Sequence, residues 1–287
     1  MRTLRSWALA LACAVIAAIP AALPAQAVYM DGKDNRDFLT TNAMSADTRK
    51  AIALTRPEIR RILATSGVFS CRNRDGKGSR YASANLFQSN RNIIIPLHVL
   101  KSVDPSTCTF ATYRDRKPVK AAFEEASLET FKAWRINGEK FEDDRIVVAL
   151  AEPIANAEPF DAFALTREDD GMKVFVVSNL QADWLAAQGM SMGTFFKKNE
   201  PLAYTCNTRR FYSRGDAYQT NCAFGPGGSG ALVFKRDANG ALKIAGMLVG
   251  WSAPRDAAGV PVSGGPYDER VRFSAAIALP SNLSAGR

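Results

Sequence analysis

Gly225-Pro226-Gly227-Gly228-Ser229-Gly230-Ala231-Leu232-Val233-Phe234 sets four glycines around one serine and runs straight into an apolar stretch. Glycine alone enters backbone regions closed to other residues without a steric cost. A chain crowded with glycines can bring successive N–H groups toward one point and approach a bound carbonyl closely. A serine held there can attack that carbonyl, while the N–H groups of Gly227 and Ser229 hold the developing oxyanion. One such donor is worth about 3–4 kcal/mol of barrier. Taken alone, the segment fits a plain Gly-rich turn equally well. A phosphate loop does not fit, because no Gly-Lys-Ser/Thr follows.

The run after the serine is one of many. Short β-rich segments alternate with polar turns at 81–87, 92–95, 109–113, 145–150 and 173–177, and again at 219–224, 231–234, 242–250 and 271–277. Such a series, with few helical stretches between its members, predicts an all-β barrel or sandwich. Residues 28–44 are polar and aperiodic, which predicts a solvated, flexible lead-in. Asp31, Asp34 and Asp37 within it lack the ligand spacing of a calcium loop. Two short helices should follow. Ser45 caps a run to Leu54, and Thr55-Arg56-Pro57-Glu58 is a capping-box pattern with Pro57 in the first turn. Ile59, Ile62 and Leu63 then share one face, and Gly67 reads as the stop. Residues 179–188 predict a short inserted helix. Asn282-Leu283-Ser284 is a glycosylation sequon by pattern only.

His98 is the only histidine, so any imidazole chemistry falls to it. A lone histidine is usually structural. This one ends the apolar run Ile93-Ile94-Ile95-Pro96-Leu97-His98-Val99-Leu100, upstream of the Gly-rich serine, where a neutral imidazole can accept the serine proton. Asp144 heads Arg145-Ile146-Val147-Val148-Ala149-Leu150, which reads as a buried strand. A carboxylate there can fix the imidazole tautomer. Asp143 and Glu142 stand next to it, so the register is open by one, and a solvated acidic turn is the alternative.

The first residues predict export. Arg2 and Arg5 precede an apolar stretch over residues 7–23, broken by Pro20, and Ala25-Gln26-Ala27 matches a signal-peptidase site. The stretch is short for a bilayer span. Residues 1–27 are therefore read as a signal peptide cleaved after Ala27, leaving a soluble, secreted or periplasmic protein without a membrane anchor and expected to be a monomer. The formal charge of +9 is spread along the chain without a dense basic tract, which reads as a solvated surface and gives no support to a nucleic-acid partner. Beyond Cys13, four cysteines remain: Cys71, Cys108, Cys206 and Cys222. An even count in an exported chain reads as two disulfides, with three pairings open. No CxxC spacing and a single histidine leave a metal site unsupported.

The order His98, Asp144, Ser229 is that of the chymotrypsin-type triad; the subtilisin and α/β-hydrolase orders differ. GPGGSGALVF resembles the GDSGGP-type serine motif of the trypsin/chymotrypsin-like serine peptidases. PLHVL is similar to their histidine motif, in which a short helix follows the histidine. DRIVVAL resembles their aspartate strand, and counting back from Leu150 puts the aspartate at Asp144. The resemblance covers residues 66–279 and is that of a bacterial-type exported member.

It implies an all-β fold of two antiparallel six-stranded β-barrels with a short helical N-terminal extension at 28–65. His98 and Asp144 would lie in the first barrel (66–165) and Ser229 in the second (166–287). It further implies a serine endopeptidase acting on protein or peptide substrates through an acyl-enzyme, with Gly227 and Ser229 as oxyanion donors and no cofactor. The disulfides it implies are Cys71–Cys108 around the histidine and Cys206–Cys222 before the serine.

Three departures from the family pattern matter. Pro96-Leu97 replaces two alanines before the histidine, which is the best support for the rival reading, a catalytically inactive relative serving as a binding or regulatory module. Ala223, six residues before the serine, removes the main support for a Lys/Arg preference, and no second histidine is present for a histidine-based glutamate pocket. Gly228 replaces the acid that pairs with a new amino terminus when animal digestive members are activated. A chain starting at Val28 should then be active as made, its oxyanion turn formed by the Cys206–Cys222 brace and Pro226. An α/β-hydrolase esterase fails on chain order, on Ala231 where the nucleophile elbow wants glycine, and on the missing βα alternation.

Overall fold

The fold was obtained as a computed structural model, in which residues 34–40, 44, 46–163, 165–190, 200–212, 217–259, 261–262 and 265–279 are described. The signal-peptide reading, the Ser45 cap and the sequon at Asn282 lie outside these residues. The described residues begin with a two-residue strand β1 (Asp37–Phe38) and two helices, α1 (Ala46–Ile52) and α2 (Arg56–Thr65). Six strands follow: β2 (Ser66–Arg72), β3 (Ser79–Leu86), β4 (Asn92–Ile95), β5 (Thr109–Thr112), β6 (Val119–Ala122) and β7 (Ile146–Leu150). They pair antiparallel and close in the order β2-β3-β4-β7-β6-β5. Helix α3 (Glu125–Ile136) interrupts them between β6 and β7.

The second set is β8 (Lys173–Ser178), β9 (Leu202–Phe211), β10 (Ala217–Thr220), β11 (Leu232–Arg236), β12 (Leu242–Ser252) and β13 (Phe273–Ile277), with the short helix α4 (Ala182–Ala187) after β8. These strands pair antiparallel in the order β8-β9-β10-β13-β12-β11, and β11 pairs with β8 to close the ring. The fold is thus two closed six-stranded antiparallel barrels, and closure pairs the first and last strand of each. β1 adds to the outside of β9, with Asp37 opposite Ala203 and Phe38 opposite Leu202.

Side-chain alternation builds the core. Ile93 and Ile95 join Phe69, Ala82, Ala84, Phe110, Val148 and Leu150 inside the first barrel, where small alanines sit among large rings. The intervening Ile94 and Val147 belong to a second apolar layer. That layer includes Phe175, Val177, Leu232, Phe234 and Ile244 of the second barrel and Ile52, Ile59 and Ile62 of α1 and α2. All six second-barrel strands feed a separate interior cluster, Tyr204, Tyr218, Val176, Val233, Leu248 and Ala276 among them. The helices of the extension therefore pack into a core shared by both barrels. Each isoleucine so buried is worth about 1.5–3 kcal/mol.

Several local readings need correction. The lead-in is not solvated throughout, because Arg36, Phe38 and Leu39 are buried. A two-residue strand is too short to leave a period in the sequence. Gly67 does not stop α2; it lies inside β2, where a Cβ would sit 2.0 Å from the Ala111 carbonyl oxygen. Glycine there permits close strand approach. The sequence reading placed no helix at 125–136; Ser127, Phe131 and Trp134, which recur at helical spacing and bury one face of α3, are the signal it missed. β2, β6 and β9 carry too many polar residues to stand out as strands. Among the described residues no helix is long and apolar enough to cross a membrane.

The capping box forms as the sequence suggests: the Thr55 hydroxyl accepts from the Glu58 N–H, and the Glu58 carboxylate accepts from the Thr55 N–H at 2.7 Å. Glu58 also pairs with Arg236 of β11 at 2.7 Å, tying α2 to the second barrel. The hydrogen bond from Arg236, with those from Thr55, lowers the Glu58 pKa to about 2. A folded-state pKa below the unfolded value means stabilisation present above the unfolded pKa of about 4.3 and lost as pH falls toward the folded one. Glu58→Gln should therefore lower the urea midpoint at neutral pH, and the gap from wild type should close on acidification through that window. An unchanged gap across the window would show that the ionised carboxylate contributes nothing.

Candidate active site

β4 pairs with β7 so that Ile95 faces Ile146. The chain leaves β4 through Pro96 and makes one 3-10 turn, Leu97–Leu100. Leu97, Val99 and Leu100 are buried and pin that turn, leaving His98 as its partly exposed member. Asp144 lies two residues before β7, after the 3-10 turn Phe141–Asp143. The strand pairing thus brings the two loops side by side. One Asp144 oxygen accepts the His98 backbone N–H at 2.7 Å, and the other lies 2.5 Å from Nδ1 of the ring. Asp144 is only 4% exposed, whereas Asp143 is exposed, so geometry brings Asp144 to the imidazole. An ionised carboxylate only accepts, so the tautomer that suits this contact carries its hydrogen on Nδ1 and turns the Nε2 lone pair toward Ser229.

Ser229 lies between β10 and β11, and its Oγ is 2.9 Å from His98 Nε2. The first barrel holds this loop from below. Ser83 N–H donates to Ser229 O at 2.8 Å, and Asn85 Nδ2 donates to Gly230 O at 3.1 Å. Gly230 has φ +85°, and a Cβ there would lie 1.9 Å from Ser83 O, so no other residue fits without displacing β3. Neither Ser83 nor Asn85 carries a motif in the sequence; only their place in β3 reveals them.

The glycines before the serine make a defined turn. Gly228 N–H donates to Gly225 O at 2.9 Å, Pro226 occupies the second position, and Gly227 has φ +96° at the third. That is the pattern of a type II turn, which requires positive φ at its third residue. Pro226 O accepts the Ala182 N–H at 3.1 Å. In a trans peptide the C=O and N–H point opposite ways, so the Gly227 N–H is directed away from Ala182. Among the described residues, the Gly227 and Ser229 N–H groups have no hydrogen-bond acceptor, whereas those of Gly228, Gly230 and Ala231 do. Gly228 is crowded: a Cβ would lie 3.0 Å from Gly225 O and 3.1 Å from Gln181 Nε2.

The disulfides are Cys71–Cys108 and Cys206–Cys222. The first ties β2 to the start of β5; the second ties β9 to the segment leading into the serine loop. Two disulfides indicate an oxidising, extracytoplasmic compartment. The Cys206–Cys222 bridge closes a loop of 16 residues, so a Cys206→Ser/Cys222→Ser double variant should lose about 3 kcal/mol of unfolding free energy in urea titration. A loss near zero would mean that the bridge does not constrain the unfolded chain. Among the described residues no three His, Cys, Asp or Glu side chains gather as a metal-binding group.

No family model matches the chain, and no curated protein matches it. Solved structures do. A Glu endopeptidase structure is 12% identical with a TM-score of 0.49, covering 88% of this chain and 93% of that one. A Mycobacterium tuberculosis protease in its active form is 14% identical with a TM-score of 0.45, over 77% and 79%. A serine endoprotease from Yersinia pestis is 12% identical with a TM-score of 0.46, over 77% and 60%. These are likenesses of shape, and no residue role follows from them.

Proposed function

We propose that this protein is an exported serine endopeptidase that hydrolyses peptide bonds through Ser229, His98 and Asp144. The observation that carries the reading is the continuous hydrogen-bonded row from Asp144 through both ring nitrogens of His98 to Ser229 Oγ, at 2.5 and 2.9 Å. His98 Nε2 takes the Oγ proton as Oγ attacks the scissile carbonyl, and the imidazolium is held by Asp144. The negative charge on the carbonyl oxygen is taken up by the N–H groups of Gly227 and Ser229, which have no other acceptor among the described residues. His98 then gives the proton to the leaving amine, whose bond to the carbonyl carbon breaks. Water reverses the sequence, releasing the acid and restoring Ser229 Oγ–H.

Pro96 and Leu97, the departure that favours a binding module, are compatible with the peptidase reading. Pro96 starts the 3-10 turn and buried Leu97 anchors it, so His98 reaches Ser229 without the usual alanines. Labelling with a fluorophosphonate probe tests the reading. Wild type should be modified at Ser229 stoichiometrically, and prior denaturation should abolish the reaction. A folded protein that stays unlabelled would favour the binding module.

A further inference from the structure

The serine loop has no acid at Gly228, so something else must hold its turn. The contacts lead to the N-terminal extension. The Pro226–Gly227 peptide is fixed through the Ala182 N–H. Ala182 lies between Gln181 and Asp183, and both of these side chains press on the turn. Asp183 Oδ1 occupies the space a Cβ on Gly225 would need, at 1.9 Å, and Gln181 Nε2 lies against Gly228. Both side chains are buried, and both are held by one residue from outside the two barrels. Arg36 donates to Gln181 Oε1 at 2.7 Å and pairs with Asp183 Oδ2 at 2.8 Å. Its side chain is 1% exposed. Asp34 takes the rest of the guanidinium, at 2.9 Å from Nε and 2.7 Å from Nη2.

The segment that delivers Arg36 is itself anchored. β1 pairs with β9, the Arg36 carbonyl accepts from Trp184 Nε1 at 3.2 Å, and Phe38 meets the Trp184 ring edge-on with centroids 5.1 Å apart. Gln181 also donates to Ser178 Oγ at 3.0 Å, which joins the network to the end of β8. A planar guanidinium offers five donors in a fixed fork, enough to serve three partners in one orientation. Burying such a charge is costly unless it is paired, and removing one partner of a buried pair leaves the other uncompensated.

We propose that Arg36 is a positioning residue for the oxyanion turn, acting through Asp183 and Gln181 on the peptide between Pro226 and Gly227. This rests on the reading of Ser229 as nucleophile. The N-terminal extension thereby carries a built-in activator of the turn, Arg36. The network acts on the same turn as the Cys206–Cys222 bridge and Pro226, which the sequence suggested as its supports.

The test uses the full chain beyond the signal sequence, with Arg36→Met and Arg36→Lys. For Arg36→Met, kcat on a peptide ester should fall about 10²-fold with KM nearly unchanged, as for loss of one oxyanion donor. Lysine keeps the charge but not the fork, so Arg36→Lys should recover part of kcat. A second readout does not depend on catalysis. Amide hydrogen exchange should speed up at Ala182 and Gly228, whose N–H groups close the turn, about tenfold or more in Arg36→Met and less in Arg36→Lys. The Ser83 N–H beneath Ser229 should keep its wild-type rate.

Wild-type exchange at Ala182 and Gly228 in the variants would overturn the proposal, whatever happens to kcat. So would faster exchange with undiminished kcat. If wild type itself hydrolyses nothing, the peptidase reading fails, and exchange alone decides whether Arg36 holds the turn. If Arg36→Met does not fold, Arg36→Lys decides by the same two readouts.

Discussion

Replacing Ser229 with alanine is expected to lower kcat for peptide and ester hydrolysis by about 10⁴–10⁶, the range seen when a triad member is removed. The change deletes a single atom, Oγ, whose described side-chain contact is His98 Nε2. The contacts that hold the loop run through backbone: Ser83 to Ser229 O, Asn85 to Gly230 O, and Gly228 to Gly225 O. They survive the substitution, so the urea midpoint should stay close to wild type. Loss of activity with an unchanged midpoint identifies a chemical role. Comparable turnover by purified Ser229→Ala would end the proposal.

Asp144→Asn is expected to lower kcat by about 10⁴. The asparagine oxygen can still accept the His98 backbone N–H, so the 3-10 turn should hold its place. Its amide nitrogen would then face Nδ1. Two N–H groups cannot share one hydrogen bond, so the ring must carry its hydrogen on Nε2, where it meets Ser229 Oγ and cannot take a proton. Asp143→Asn should have a far smaller effect, because Asp143 is exposed and outside this contact. Kinetics on the two single variants would separate them. The reverse ranking would place the functional carboxylate one residue earlier.

The sequence carried the pattern of the site more clearly than the means of holding it. His98, Asp144 and Ser229 stand out because each borders an apolar strand and the Gly-rich turn is conspicuous. Four strand readings, 92–95, 109–113, 145–150 and 173–177, agree with β4, β5, β7 and β8 to within one residue. The capping box at Thr55 is local chemistry and so is readable in four residues.

What stayed hidden depends on contacts far apart in the chain. Asn85 meets Gly230 across 145 residues, and Arg36 meets Gln181 across the same interval. No period or motif marks such pairs. A lone arginine in a polar lead-in looks solvated until the fold buries it. β9 was obscured for a related reason: Asn207, Thr208, Arg209 and Arg210 break its apolar pattern, while pairing to β8 and β10 supplies the stability that side-chain burial alone would not.

A Ser229 nucleophile must pass through a covalent acyl intermediate on Oγ. Rapid-quench mass spectrometry of the protein mixed with an activated peptide ester tests it most directly. A transient mass increase equal to the acyl group is expected, mapping to the peptide that contains Ser229 and absent from Ser229→Ala. Hydrolysis of the ester with no adduct on Ser229 at any quench time, and with Ser229→Ala turning over equally well, would contradict it.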